Sequence, residues 1–208
     1  MFKLLAIASL VFCLLPTLFA GPLATVPSPV ASTASFDPTE HWQVGIETSS
    51  LWEFGGNATD LDYQFLAQIV TFKSPAVLDW NLGSGVLVVR NRLSFLGEAI
   101  IEGPESYFFG VTGGASMEWW NAQRNFSIFL SAGGGVGLLD SKGYEIVGGQ
   151  GQDFNFTWYV HAGAVYRFSE QWSATLGIYF QHISNRGQDP VNPGVDALGP
   201  TLGISRHF

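Results

Sequence analysis

Large apolar side chains recur at every second position in about eight separate segments between residue 42 and the C-terminus. Successive side chains of a β-strand point to opposite faces, so each segment has one bulky apolar face and one face of small or polar residues. The segments are 42–54, 61–73, a strand within 82–97, 106–120, 125–139, 153–168, 172–184 and 196–208. This pattern predicts an all-β fold, an eight-stranded antiparallel β-barrel.

The two faces differ in bulk, which indicates the side that points outward. A soluble lipocalin-like barrel places its apolar face inside, whereas a transmembrane barrel places it against lipid. Phe, Trp, Leu and Tyr from eight strands are too bulky for a closed interior of this size, while Gly, Ser and Thr fit there. We therefore expect a transmembrane β-barrel with its bulky faces outward, including Tyr63, Phe65 and Ile69 of segment 61–73.

Composition and connection lengths agree with a bacterial outer-membrane location. Charged residues make up only 12% of the chain and the net charge is −8, whereas a typical soluble domain has about 25% charged residues and a nucleic-acid-binding domain carries clustered Lys and Arg. The connections 121–124 and 169–171 are short, whereas 140–152 and 185–195 are long. Outer-membrane barrels have short periplasmic turns and long outer loops. The connection 74–81 is longer than this rule predicts.

The N-terminus has the form of a secretory signal peptide, predicted to span residues 1–20. Lys3 provides the positive charge, and residues 4–15 form a short apolar core. Cleavage after Ala20 fits this pattern, and a later site such as Ala34 stays open.

The remaining N-terminal residues divide into a leader and the barrel. Cys13 is the chain's one cysteine and lies in the apolar core of the signal, so we expect no disulfide in the exported protein. Residues 21–40 are rich in Pro, Ser and Thr, which predicts a disordered leader, and residues 41–208 form the predicted barrel domain.

Three polar residues near the C-terminus have the parity of the outward face. His182 and Ser184 are two positions apart at the end of the seventh strand, and Asp196 begins the eighth with the parity of Leu198. Charged and polar side chains facing lipid are costly, so they suggest a functional site. A base beside a hydroxyl, with an acid to orient the base, indicates a serine hydrolase.

The stretch His182-Ile-Ser184-Asn185, followed by Asn192-Pro-Gly194-Val-Asp196, resembles the lipid A 3-O-deacylase family (PagL-type). Members of that family are eight-stranded outer-membrane barrels that hydrolyse the ester-linked acyl chain at position 3 of lipid A. The resemblance implies that Ser184 is the nucleophile, His182 the general base and Asp196 the orienting acid. Asn185 would help to form the oxyanion hole, and neither a metal nor a cofactor would be needed.

Two departures from the family pattern bear on the acid. The family acid is typically Glu, and Asp196 is one methylene shorter; the loop before it also carries an extra residue. Either change could separate the acid from His182 and lower the rate, which would give a poorly active member of the family. Asp189 is a rival acid, although it lies in the loop and lacks the strand parity.

The expected partners are lipid A or lipopolysaccharide in the outer leaflet and the membrane itself, with a homodimer as an open alternative and no nucleic acid. Acyl chains would lie along Phe180 and Ile178. The alternative function is a non-enzymatic small outer-membrane barrel with a structural or adhesive role, acting through its long outer loops. His161 and His207 have the parity of the lumen, and we expect them in an interior polar network.

Overall fold

The computed structural model describes residues 36–54 and 61–208. The predicted signal peptide 1–20 and all but the last five residues of the predicted leader 21–40 lie outside this range. The elements are a 3₁₀ helix at Pro38–Glu40 and nine strands: β1 Gln43–Glu53, β2 Gln64–Lys73, β3 Leu78–Asn81, β4 Gly85–Glu102, β5 Tyr107–Asn121, β6 Phe126–Leu139, β7 Phe154–Arg167, β8 Trp172–Ser184 and β9 Val195–His207. Over the described residues, no helix is long and apolar enough to cross a membrane.

Eight of the nine strands close into an antiparallel barrel. They pair in the order β2-β1-β9-β8-β7-β6-β5-β4, and β2 also pairs with β4 to complete the circle. This confirms the predicted eight-stranded antiparallel barrel. The short strand β3 lies in the connection that was expected to be a loop and pairs with β4 next to the barrel wall. A tight turn at Gly83, whose φ is +77°, makes this hairpin possible because glycine adopts left-handed backbone angles without a steric penalty.

The faces of the barrel have the orientation of a transmembrane protein. Polar side chains such as Ser116, Ser131 and Thr201 point into the interior and are buried, whereas the outer wall is apolar. The exposed large side chains include Trp42, Ile46, Phe95, Phe109, Ile128, Leu130, Ile178 and Leu202. The lipocalin-like alternative, with an apolar interior and a polar outside, is therefore excluded.

One strand has its faces reversed relative to the prediction. Tyr63, Phe65, Ala67 and Ile69 point into the barrel and are buried, so the expectation that this bulky set faces outward is wrong. They belong to an apolar cluster that fills the lumen at the end of the barrel with the long loops. The cluster also contains Leu51, Leu96, Phe108, Leu139, Tyr159, Tyr179, Ile183, Val195 and Ala197. Alternation reveals two faces, but only closure of the barrel decides which of them is inside.

A charged network fills the middle of the lumen. Glu118 accepts a hydrogen bond from Lys73 Nζ at 2.7 Å and lies 3.6 Å from Arg90 Nη1. Arg92 Nη2 is 3.3 Å from Glu47 Oε2, and its Nη1 is 2.9 Å from His161 Nδ1. These side chains are almost completely buried, so each charge is compensated by a neighbour instead of by water.

The two lumen histidines occupy the predicted kind of environment. His161 also contacts Thr201 Oγ1 at 2.9 Å through its Nε2, and His207 Nε2 lies 2.8 Å from Ser173 Oγ. Both rings are fully buried. This confirms the prediction of an interior polar network and separates both histidines from the outward-facing site.

Replacing Glu118 by alanine is expected to lower the free energy of unfolding by about 3–5 kcal/mol, because Lys73 and Arg90 would remain buried without their counter-charge. The measurement is urea unfolding of the purified barrel in lipid or detergent. Glu102→Ala is the control, since Glu102 is exposed at the end of β4 and its loss removes the same charge at a cost of about 0.5 kcal/mol or less. Equal destabilisation by both variants would contradict a structural role for the network.

Candidate active site

Two neighbouring strands bring the three polar residues together on the outer wall. His182 and Ser184 are alternate residues at the end of β8, so their side chains project on the same side. Asp196, at the start of β9, is the direct cross-strand partner of His182. Gly194, with a φ of +70°, lets the chain turn into β9 because glycine adopts left-handed backbone angles without a steric penalty. The alternation and the antiparallel register together assemble the group.

The three side chains form a continuous hydrogen-bonded chain. Asp196 Oδ1 lies 2.6 Å from His182 Nδ1, and His182 Nε2 lies 2.9 Å from Ser184 Oγ. The shorter side chain of Asp196 therefore reaches the imidazole despite the extra loop residue. Ser184 is only 9% exposed, while the side chains of His182 and Asp196 are each 27% exposed. With a proton on Nδ1 shared with the carboxylate, Nε2 is free to accept the Ser184 proton.

Asp189, the rival acid, is engaged elsewhere. The Tyr144 hydroxyl donates to both of its carboxylate oxygens, at 3.1 and 3.0 Å, and the Val191 N–H donates to Oδ1 at 2.8 Å. The hydrogen bond to Asp189 also raises the pKa of Tyr144. The structure thus pairs His182 with Asp196 and uses Asp189 to hold two loops together.

Asn185, the predicted oxyanion residue, is completely buried beneath its own loop. Its N–H donates to Asn192 Oδ1 at 2.9 Å, its Nδ2 donates to Val191 O at 2.9 Å, and its Oδ1 accepts from the Gly187 N–H at 2.8 Å. These bonds hold the turn that follows Ser184. A role of Asn185 in the oxyanion hole stays a prediction.

The loop 140–153 supports the same turn. Gly151 N–H donates to Val191 O, which joins the two long loops. Asp153 accepts hydrogen bonds from the hydroxyl and the N–H of Ser141, and these bonds lower its pKa. Glu105 accepts from the Tyr63 hydroxyl at 2.8 Å and from the Gln150 N–H at 2.6 Å. The site is therefore bordered by a well-anchored loop.

Strand β7 contributes two aromatic residues that the sequence analysis did not include in the site. Trp158 is the cross-strand partner of His182, and their rings stack with centroids 5.7 Å apart and an interplanar angle of 28°. Phe156 is the cross-strand partner of Ser184. The alternation within β7 predicts that both side chains lie on the outer face. Nothing in the sequence indicates the register between β7 and β8 that places them beside His182 and Ser184.

A cavity of about 480 Å³ opens beside Ser184 and His182. It is lined by Gly134, Gly135, Phe156, Thr157, Trp158, His182, Ser184 and Arg186. It extends from the polar residues across β7 toward the glycines of β6, and not along Phe180 and Ile178, where the acyl chain was expected.

Within residues 36–54 and 61–208, no group of three or more His, Cys, Asp or Glu side chains is arranged to hold a metal ion.

Comparisons with known proteins give the following matches. A family model described as lipid A 3-O-deacylase (PagL) matches residues 30–205. The crystal structure of the outer membrane enzyme PagL superimposes with a TM-score of 0.51 and 15% identity, covering 77% of this chain and 97% of that one. A structure from the de novo design of transmembrane β-barrels has a TM-score of 0.41 and 13% identity, covering 81% and 96% respectively. No curated protein sequence matches.

Proposed function

Because the chain belongs to the lipid A 3-O-deacylase (PagL) family and is an outer-membrane β-barrel, we propose that it hydrolyses the 3-O-linked acyl ester of lipid A by a Ser-His-Asp mechanism. Residues 1–20 would direct its export, and a homodimer stays a prediction. The substrate would reach the site by lateral diffusion in the outer leaflet, because the site lies on the outer wall of the barrel.

The observation that carries this proposal is the hydrogen-bonded chain from Asp196 through His182 to Ser184. A structural role for three polar groups is hard to reconcile with their position, because lipid-facing polar side chains are costly. Their connectivity matches the order that nucleophilic ester hydrolysis needs, with the acid on one ring nitrogen and the hydroxyl on the other.

The reaction would proceed in two steps. Ser184 Oγ bonds to the ester carbonyl carbon while its proton moves to His182 Nε2, and Asp196 stabilises the imidazolium that forms. The carbon–oxygen bond to the sugar then breaks, and His182 returns the proton to the sugar oxygen. In the second step a water gives its proton to His182 and attacks the acyl-Ser184 carbonyl, which releases a fatty acid and regenerates the Ser184 hydroxyl.

We propose that Asn185 supports the oxyanion hole indirectly, through the backbone next to Ser184. Its hydrogen bonds hold the turn next to Ser184, so it would stabilise the tetrahedral intermediate by fixing the local backbone.

The cavity suggests where the acyl chain would lie. Phe156 and Trp158 form an apolar wall beside Ser184, and Gly134 leaves open space at the far end. An acyl chain bound there would cross β7 toward β6, with its ester beside Ser184.

Filling the far end of the cavity is expected to impair the enzyme. Gly134→Val should lower kcat/KM for lipid A about tenfold, since methylene-sized changes in an apolar pocket have effects of this order. A Cβ at Gly134 would lie 3.3 Å from Thr157 O and 3.8 Å from Trp158 Cβ, so the strand accommodates it with a small shift. The matched control is Gly113→Val, because Gly113 is the cross-strand partner of Gly134 on β5 and a Cβ there meets nothing within 4 Å. Equal rates for both variants would place the acyl chain elsewhere.

The direct test of the proposed function is mass spectrometry of lipid A from cells that express the protein. Loss of one ester-linked acyl chain from position 3 is expected. An unchanged lipid A profile, with the barrel folded in the outer membrane, would refute the proposal and favour the structural or adhesive alternative.

A further inference from the structure

Arg186 lies at the polar end of the cavity, two residues after Ser184. We propose that Arg186 binds a phosphate group of the lipid A headgroup and so selects phosphorylated substrate. This inference rests on the proposed deacylase function and adds a binding residue to it.

The backbone holds Arg186 in a conformation that arginine rarely adopts. Its φ is +55°, and Gly187 follows with a φ of +75°. Left-handed backbone angles are unfavourable for a non-glycine residue, and they persist where surrounding bonds enforce them. Here Asn185 supplies those bonds, because it accepts from the Gly187 N–H and is itself tied to Asn192. The turn thus fixes the point from which the Arg186 side chain leaves the backbone.

The guanidinium of Arg186 is positioned by an aromatic ring. Its Cζ lies 5.0 Å from the centroid of Phe156, the residue directly opposite Ser184 on β7. Arginine stacks on an aromatic face while keeping its N–H groups for a planar, bidentate contact with an oxyanion such as phosphate. The cation is therefore held beside the nucleophile with its donors available.

Arg186 has no ion-pair partner among the described residues, which leaves its charge available to an external anion. Residues 140–153 and 185–194 contain two basic side chains, Lys142 and Arg186. Lys142 Nζ lies 3.9 Å from Glu145 Oε2, whereas Arg186 forms no ion pair within residues 36–54 and 61–208. The Arg186 guanidinium, which contacts the Phe156 ring, is therefore available to bind an incoming anion.

The chemistry of the substrate supplies such a group. Lipid A is an acylated glucosamine disaccharide that carries phosphates on its sugars, so an ester at Ser184 brings a phosphate to the adjoining surface of the barrel. Charge-assisted, bidentate contacts between arginine and phosphate are strong and geometrically specific. Arg186 would fix the sugar while the acyl chain occupies the cavity.

The test compares purified wild type, Arg186→Gln and the control Lys142→Gln on two substrates without core sugars, bis-phosphorylated lipid A and dephosphorylated lipid A. Arg186→Gln should lower kcat/KM about tenfold to a hundredfold on the phosphorylated substrate, since a hydrogen bond to a charged group has effects of this order. On dephosphorylated lipid A, it should match the wild type. Lys142→Gln should match the wild type on both, and Arg186→Lys should retain part of the activity because it keeps the charge.

Other outcomes would overturn the inference. Equal loss on both substrates would assign Arg186 a role in the turn, and no loss on either would exclude it from binding. With lipopolysaccharide that retains acidic core sugars as a third substrate, a loss seen only on that substrate would identify a carboxylate as the partner instead of a phosphate. Wild type that deacylates neither substrate would refute the proposed function itself, and this inference with it.

Discussion

Ser184→Ala is expected to reduce the rate of lipid A deacylation by a factor on the order of 10⁴ or more, because it removes the atom that bonds to the ester carbonyl. His182→Asn should have a similar effect, since no other base lies within hydrogen-bond distance of Ser184 Oγ among the described residues. The measurement is release of the acyl chain from purified lipid A, followed by mass spectrometry. Both variants should remain folded and heat-modifiable.

The matched control is Ser169→Ala, an exposed serine in the short turn between β7 and β8 at the other end of the barrel. Its activity should equal that of the wild type. Full activity of Ser184→Ala in a folded barrel would remove Ser184 from the mechanism, even if the protein still deacylates lipid A.

Asp196→Asn is expected to lower kcat by about 10³–10⁴-fold while leaving the side chain's size unchanged. The asparagine amide can donate to His182 Nδ1, which favours the tautomer with the proton on Nε2. That tautomer cannot accept the Ser184 proton, so the effect should appear in kcat more than in KM. Single-turnover and steady-state kinetics on lipid A would measure both.

Asp189→Asn serves as the control for this variant. It alters the contact with Tyr144 at a site that does not touch His182, so activity should stay within a few-fold of the wild type. A larger loss for Asp189→Asn than for Asp196→Asn would make Asp189 the acid and contradict the assignment.

Much of the barrel could be predicted because alternation is a local property of each strand. The ends of β5, β6, β7 and β8 agree with the predicted segments to within one or two residues. The same alternation put His182 and Ser184 on the outer face, and the parity of Asp196 put it there too. Such inferences need only the two-residue repeat of an extended chain.

The sequence alone was less informative about features that depend on how a strand pairs and packs with its neighbours. In β2 the bulky face turned inward because an apolar cluster closes the lumen beside Leu51 and Phe108, and the strand's own pattern does not contain that information. Nothing in the local pattern predicts β3 in the connection after β2, because β3 is held by pairing with the first residues of β4.

The number of barrel strands, the approximate limits of most of them and the outward parity of Ser184, His182 and Asp196 could be predicted from the sequence. The folded barrel was needed to show that Asp196 lies opposite His182, that Trp158 stacks on the imidazole and that Arg186 borders the same cavity. This difference arises because alternation is a local property of each strand, whereas strand register depends on the pairing of all eight strands around a closed barrel.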